Sequence, residues 1–87
     1  MQYPRPMSDI QTATAAAIKV RLTRLGVTQE SLAQQIGMSP ASMSARLTGR
    51  VPFDTREFDT IAKALGLSDG FALIELARAE RVEVDAA

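Results

Sequence analysis

Apolar side chains fall at helical intervals through most of this chain, in five blocks set apart by glycine stops and capping residues. In the first block Ile18, Leu22 and Leu25 stand at i, i+4 and i+7, and the surrounding "TATAAAIKV" is rich in alanine, the best helix former. The spacing predicts a helix from Ser8 or Asp9 to Leu25, ended by Gly26. Thr28 opens a second helix, with Leu32, Ala33 and Ile36 on one face and Gly37 at its end. Ser39 caps a third. Pro40 takes its first helical position, where a missing N–H costs nothing, and Met43 and Leu47 point the same way before Gly49. The fourth start is doubly marked: Asp54 and Glu57 make a capping box, and Phe53 and Phe58 a hydrophobic staple across it. Phe58, Ile61, Ala62 and Leu65 form its buried stripe, and Gly66 closes it. A fifth helix begins at Ser68 or Asp69, with Phe71, Ile74 and Ala77 on one face.

The pattern therefore predicts an all-α fold, a compact bundle of five helices. Residues 1–8, "MQYPRPMS", hold two prolines and no period, and predict a flexible arm. The domain proper is expected over 9–80, and 81–87 as a short, acidic, frayed tail in which "RVEV" has the alternative of an edge strand. At 87 residues the chain is one domain, able to hold a core without staples. It has no cysteine, hence no disulfide or thiolate chemistry, and no histidine, the commonest general base and metal ligand. No signal peptide or membrane-spanning run is read, so a soluble, cytoplasmic protein is expected, with no cofactor and no metal.

Net charge is zero, which by itself lacks the basic footprint of a nucleic-acid binder. The distribution alters that picture. Residues 1–52 carry six Lys/Arg (Arg5, Lys19, Arg21, Arg24, Arg46, Arg50) against Asp9 and Glu30, whereas residues 53–87 carry four basic side chains against eight acidic ones. Such a polar arrangement can draw an anion to one face while the far face stays acidic.

The stretch "QQIGMSPASMSARLTGR" stops one helix and starts another within three residues, and the second is built mostly from small side chains. Two helices joined by so short a glycine-containing turn form a helix-turn-helix, here residues 28–48, whose second helix enters the DNA major groove. With "GVTQESLAQQIGMSPASMSARLTGR" followed by "FDTIAKALGLS", the chain resembles the lambda-repressor-like family, the Cro and repressor type of helix-turn-helix domain, over roughly residues 18–78. Two positions depart from that family. Its members often pair an Arg on the first helix with a Glu late in the recognition helix; the corresponding residues here are Leu22 and Leu47, both apolar. Replacing such a buried pair by apolar residues is often neutral or stabilising. Arg46 stands where the family usually places a core aliphatic, and is expected to turn to solvent or phosphate.

The resemblance implies base contacts mainly at Pro40, Ala41, Ser44 and Ala45, with Ser39 and Thr48 on the same outward side. Small side chains let the helix backbone sit deep in a groove. No Asn or Gln, the bidentate partners of adenine, lies between Ser39 and Thr48, so contact with thymine methyls is the expected mode. Gln29 matches the family glutamine that holds the DNA backbone, with its N–H at a positive helix end, and Ser42, Arg46 and Arg50 are further phosphate candidates. Lys19 and Arg24 face outward on the first helix, and Arg5 in the arm either enters a minor groove or stays disordered.

The resemblance implies a sequence-specific regulator of transcription bound to double-stranded DNA, most like a phage or prophage repressor or a Cro-type protein. With no further domain read, neither ligand sensing nor self-cleavage is expected. Phe71, Leu73 and Leu76 offer either a homodimer surface on the fifth helix or part of the core. The alternative is an antitoxin or other protein-interaction module on the same fold, its acidic last helix and tail holding a basic protein partner. An enzyme is not expected: no base stands beside Ser39, Ser42 or Ser44, and there is no glycine-rich phosphate loop.

Overall fold

The structure is a computed structural model that describes the backbone of residues 9–86 and the side chains of residues 10–80. The expected arm 1–8, with Arg5, and Ala87 lie outside the described residues. Five helices follow one another: α1 (Asp9–Leu25), α2 (Gln29–Gln35), α3 (Pro40–Leu47), α4 (Thr55–Ala64) and α5 (Gly70–Ala86). Among the described residues there is no strand, and no helix is long and apolar enough to cross a membrane.

Local chemistry starts each short helix where the sequence places it. The Thr28 hydroxyl accepts the Ser31 N–H at 3.0 Å and the Ser39 hydroxyl accepts the Ser42 N–H at 3.1 Å. Asp54 Oδ1 accepts the Glu57 N–H at 2.7 Å while Glu57 Oε1 accepts the Asp54 N–H at 3.0 Å, the reciprocal capping box. Around it the Phe53 and Phe58 rings pack with centroids 5.4 Å apart. Between α2 and α3, Gly37 turns at φ +74°, a left-handed value that a side chain would strain, and the Met38 N–H reaches back to the Ala33 carbonyl at 2.9 Å.

The core joins Ala15, Ile18 and Leu22 of α1, Leu32 and Ala33 of α2, Met43 and Leu47 of α3, and Phe58, Ile61, Ala62 and Leu65 on and just after α4. Ala33 is fully buried beneath α3, where its single methyl lets the two helices of the motif approach. Leu22 and Leu47 both belong to this core, each 3% exposed. The family's charged pair is thus replaced by apolar burial on both helices.

Three expectations are corrected. Leu25 does not continue the buried face of α1: it is the last residue of the helix and is 49% exposed, and the buried face is formed by Thr14, Ala15, Ala17, Ile18 and Leu22. On α5 the inward face is Leu73 and Ala77 with Ile74 half-buried, while Phe71 is 81% exposed. The reason is the docking of Gly70 on α4. A Cβ there would meet Asp59 N and Phe58 Cβ at 3.2 Å, so the helix starts backbone against backbone, and its rotation carries Phe71 outward. Finally, the backbone of residues 81–86 continues α5 as helix and does not form the edge strand that "RVEV" offered.

Two tertiary clamps hold the frame. The Gln11 side-chain amide pairs with the backbone of Phe53, donating from Nε2 to its carbonyl at 2.9 Å and accepting its N–H on Oε1 at 2.7 Å. It fixes the segment that leads from α3 into α4. Arg21 donates from Nε and Nη2 to the Leu65 carbonyl, both at 3.3 Å, placing a cation at the C-terminus of α4 where the helix dipole favours it.

Asp59 fastens α5 to α4: its Oδ1 accepts the Gly70 N–H at 2.9 Å and its Oδ2 pairs with Lys63 at 3.2 Å. The Gly70 hydrogen bond, then Lys63, hold its carboxyl below the usual 3.8. A depressed pKa contributes stability above the unfolded value and loses it as pH falls through the folded one. Wild type is therefore expected to lose stability relative to Asp59→Asn as pH drops from about 5 toward 2. Denaturation curves that stay parallel for the two proteins across that window would show that Asp59 is not the group responsible.

Candidate nucleic-acid interface

The sequence places small residues on α3, and the fold decides which of them face outward. At about 100° per residue, Pro40, Ser44, Thr48, Ala41 and Ala45 span an arc of roughly 140° that starts beside Leu47 and runs away from the core. Ser39, Pro40, Ala41 and Thr48 are exposed, and Ser44 and Ala45 partly so, whereas Met43 and Leu47 on the inner side are buried. Thr48 Oγ1 donates to the Ser44 carbonyl at 2.8 Å, which spends its hydroxyl on the helix backbone. The outward arc is therefore a narrow ridge of methyl, methylene and hydroxyl groups, with no long side chain to hold it off a surface.

An exposed cation lies beside this ridge, Arg50. Gln29, the first residue of α2, is exposed, and Arg50 lies exposed just beyond α3, its Nε 3.5 Å from Thr48 Oγ1. No acidic residue occurs between Glu30 and Asp54, a stretch whose charged side chains are Arg46 and Arg50. Lys19 and Arg24 are exposed on α1, as expected, and Arg24 pairs at 3.5 Å with Glu80 of α5. Its charge is thus partly met within the molecule.

Arg46 and Ser42 depart from the expected arrangement. Both lie on the flank of α3 that faces α4, off the outward arc. Arg46 does not stand free for solvent or phosphate: its Nε donates to Glu57 Oε1 at 2.9 Å and its Nη1 to the Ser42 carbonyl at 3.1 Å, with only 20% of the side chain exposed. Ser42 is half-buried, its N–H held by Ser39. Sequence spacing could find the helix but not this partner, because Glu57 belongs to a different helix and was already occupied as a capping residue. Among the described residues no group of His, Cys, Asp or Glu is arranged to hold a metal ion.

Residues 12–71 match the family described as the helix-turn-helix domain. No curated protein matches the chain. Among solved structures, it is similar to the clp gene regulator ClgR from Corynebacterium glutamicum in two crystal structures. One is 24% identical over 85% of this chain and 95% of that chain, with a TM-score of 0.72. The other is 28% identical over 95% of this chain and 86% of that chain, with a TM-score of 0.71. It is likewise similar to the hypothetical transcription factor NHTF from Neisseria, 25% identical over 97% of this chain and 93% of that chain, TM-score 0.73.

Proposed function

The chain belongs to the helix-turn-helix domain family, and from that premise we propose that it is a DNA-binding regulator of transcription and not an enzyme. The observation that carries this is the α3 ridge: an arc of small side chains on the second helix of the motif, free of acids and followed by the exposed Arg50. The similar solved structures include a gene regulator and a hypothetical transcription factor, which supports the same reading. The finer assignment is a phage- or prophage-type repressor or Cro-like protein that acts in the cytoplasm by occupying an operator.

In this reading Pro40, Ala41, Ser44, Ala45 and Thr48 meet base edges, and Gln29, Ser39 and Arg50 meet phosphates. Ser42 and Arg46 flank the contact on the α4 side. Two copies on paired half-sites fit the usual symmetry of such motifs. Phe71, exposed beside the half-buried Ile74, is the apolar surface proposed for that pairing; Leu76 is half-buried about 140° further round α5, and Leu73, fully buried, is part of the core instead.

Selection of duplexes from a random pool, followed by binding at graded salt, tests the proposal. A motif of two related half-sites is expected, with affinity that falls linearly in log–log form as salt rises, because binding releases a fixed number of counterions into a more concentrated solution. Failure to enrich any duplex, or binding indifferent to salt, would reject it in favour of a protein-interaction module. Within the selected site, replacing thymines opposite Ala41 and Ala45 by uracil removes only the methyl groups. Affinity is expected to fall by up to about 1 kcal/mol per methyl. Unchanged binding at every substituted thymine would exclude methyl contact as the source of specificity.

A further inference from the structure

We propose that Glu57 is a positioning residue for DNA recognition: through Arg46 it sets the rotation of the recognition helix without touching DNA. This rests on the DNA-binding reading above. The capping box fixes Glu57 first. Its N–H is held by Asp54 Oδ1 at 2.7 Å and its Oε1 accepts the Asp54 N–H at 3.0 Å, which leaves the carboxylate a single orientation at the start of α4. The same Oε1 accepts Arg46 Nε at 2.9 Å, and the Arg46 fork is closed from the other side by the Ser42 carbonyl at 3.1 Å. One oxygen thus ties the N-terminus of α4 to the last turn of α3.

The surroundings make that tie matter. The inner side of α3 is braced by Met43 and Leu47 in the core, but the flank toward α4 opens on a cleft of about 370 Å³. Ile36, Met38, Ser42, Arg46, Glu57 and Thr60 are among its walls, and the Arg46–Glu57 pair spans it. Apolar Ile36 and Met38 line one wall of the cleft, and the link from α3 to α4 across this flank is the ion pair, which resists rotation of α3 about the core side chains. A planar guanidinium with two bonded edges suits the task, because it fixes direction as well as distance. The exposed arc of Ala41, Ser44, Ala45 and Thr48 has short side chains that cannot reorient to recover a lost contact. Base readout therefore depends on the setting of the helix itself. The pair has a second consequence: Glu57 neutralises Arg46 and keeps that cation from adding sequence-independent affinity.

The test compares Arg46→Met, Glu57→Ala, Glu57→Gln and Arg50→Ala, each first shown to be folded by thermal unfolding. Affinities are measured for the selected duplex and a random duplex across salt. Arg46→Met and Glu57→Ala are expected to lower the ratio of specific to random affinity by about tenfold. Arg46→Met should leave the salt slope of specific binding unchanged. Glu57→Gln keeps the accepting oxygen and is expected to hold the ratio within about threefold. Arg50→Ala is the contrast, weakening all sequences alike and lowering the slope by about one. If Glu57→Ala fails to fold because half the capping box is gone, Arg46→Met, which leaves the box intact, decides. Arg46→Met that behaves like Arg50→Ala would make Arg46 a phosphate clamp and overturn the proposal, as would a ratio unmoved by Arg46→Met. A separate readout needs no DNA: the Arg46 Nε–H resonance is expected to be protected from exchange in wild type and Glu57→Gln and unprotected in Glu57→Ala. Equal protection in all three would overturn the strut itself, whereas a protected resonance in a protein that binds no duplex would instead locate the failure in the DNA-binding reading.

Discussion

Leu47→Ala is expected to cost about 2–5 kcal/mol of unfolding free energy, the range for truncating a fully buried leucine. Leu47 is 3% exposed in a core shared with Leu22, Met43 and Ile18. The recognition helix is only eight residues long, far too short to persist without that anchorage. At about 4–8 °C per kcal/mol for a domain of this size, the melting temperature should drop by at least about 8 °C. Leu47→Glu is expected to do more damage, because the carboxylate would lie buried with no cation opposite it. Restoring the charge arrangement common in resembling domains, as Leu22→Arg with Leu47→Glu, should recover part of that loss, since a cycle of neighbouring residues is non-additive. Should Leu47→Glu melt at the wild-type temperature, or the double variant show no coupling, then Leu22 and Leu47 do not face one another across α1 and α3.

Ala41→Glu is expected to abolish DNA binding while leaving the fold as stable as before, or slightly more so. Ala41 is exposed at the second position of α3, two residues after the Ser39 cap. An acid there faces the positive helix end, a contribution of about 0.3–1 kcal/mol toward stability. The same carboxylate sits on the ridge proposed to enter the groove, where like-charge approach to phosphates costs several kcal/mol and affinity should fall more than about a hundredfold. Opposite signs for stability and binding separate an interface residue from a structural one. Binding within about threefold of wild type would mean that α3 does not present this side to DNA.

The helix starts and stops were legible in the sequence because their chemistry is local. Thr28, Ser39 and Asp54 each bond an N–H three residues on, within reach of one turn, and Glu57 answers Asp54 over the same distance. The tight turn at Gly37 and the inward positions Leu22, Leu32, Met43, Leu47 and Ile61 follow from period and residue type alone. The all-α architecture and the helix-turn-helix were determined there, before any long-range contact is considered.

What the tertiary structure decided is where one segment meets another. Periodicity shows that α5 has apolar residues, but two arcs competed, one with Phe71 and one with Leu73. The close seat of Gly70 on Phe58 and Asp59 chose the second. Leu25 has the right spacing but stands at the helix end and stays half exposed. Gln11 on Phe53, Arg21 on the Leu65 carbonyl and Arg46 on Glu57 join residues 42, 44 and 11 positions apart. A side chain's partner at such separations depends on how whole helices are oriented, and that orientation is the sum of many core contacts. Sequence therefore determined the motif and its ridge of small side chains. Only the folded chain decided that Arg46, the cation nearest that ridge in sequence, is held by Glu57 and turned toward α4.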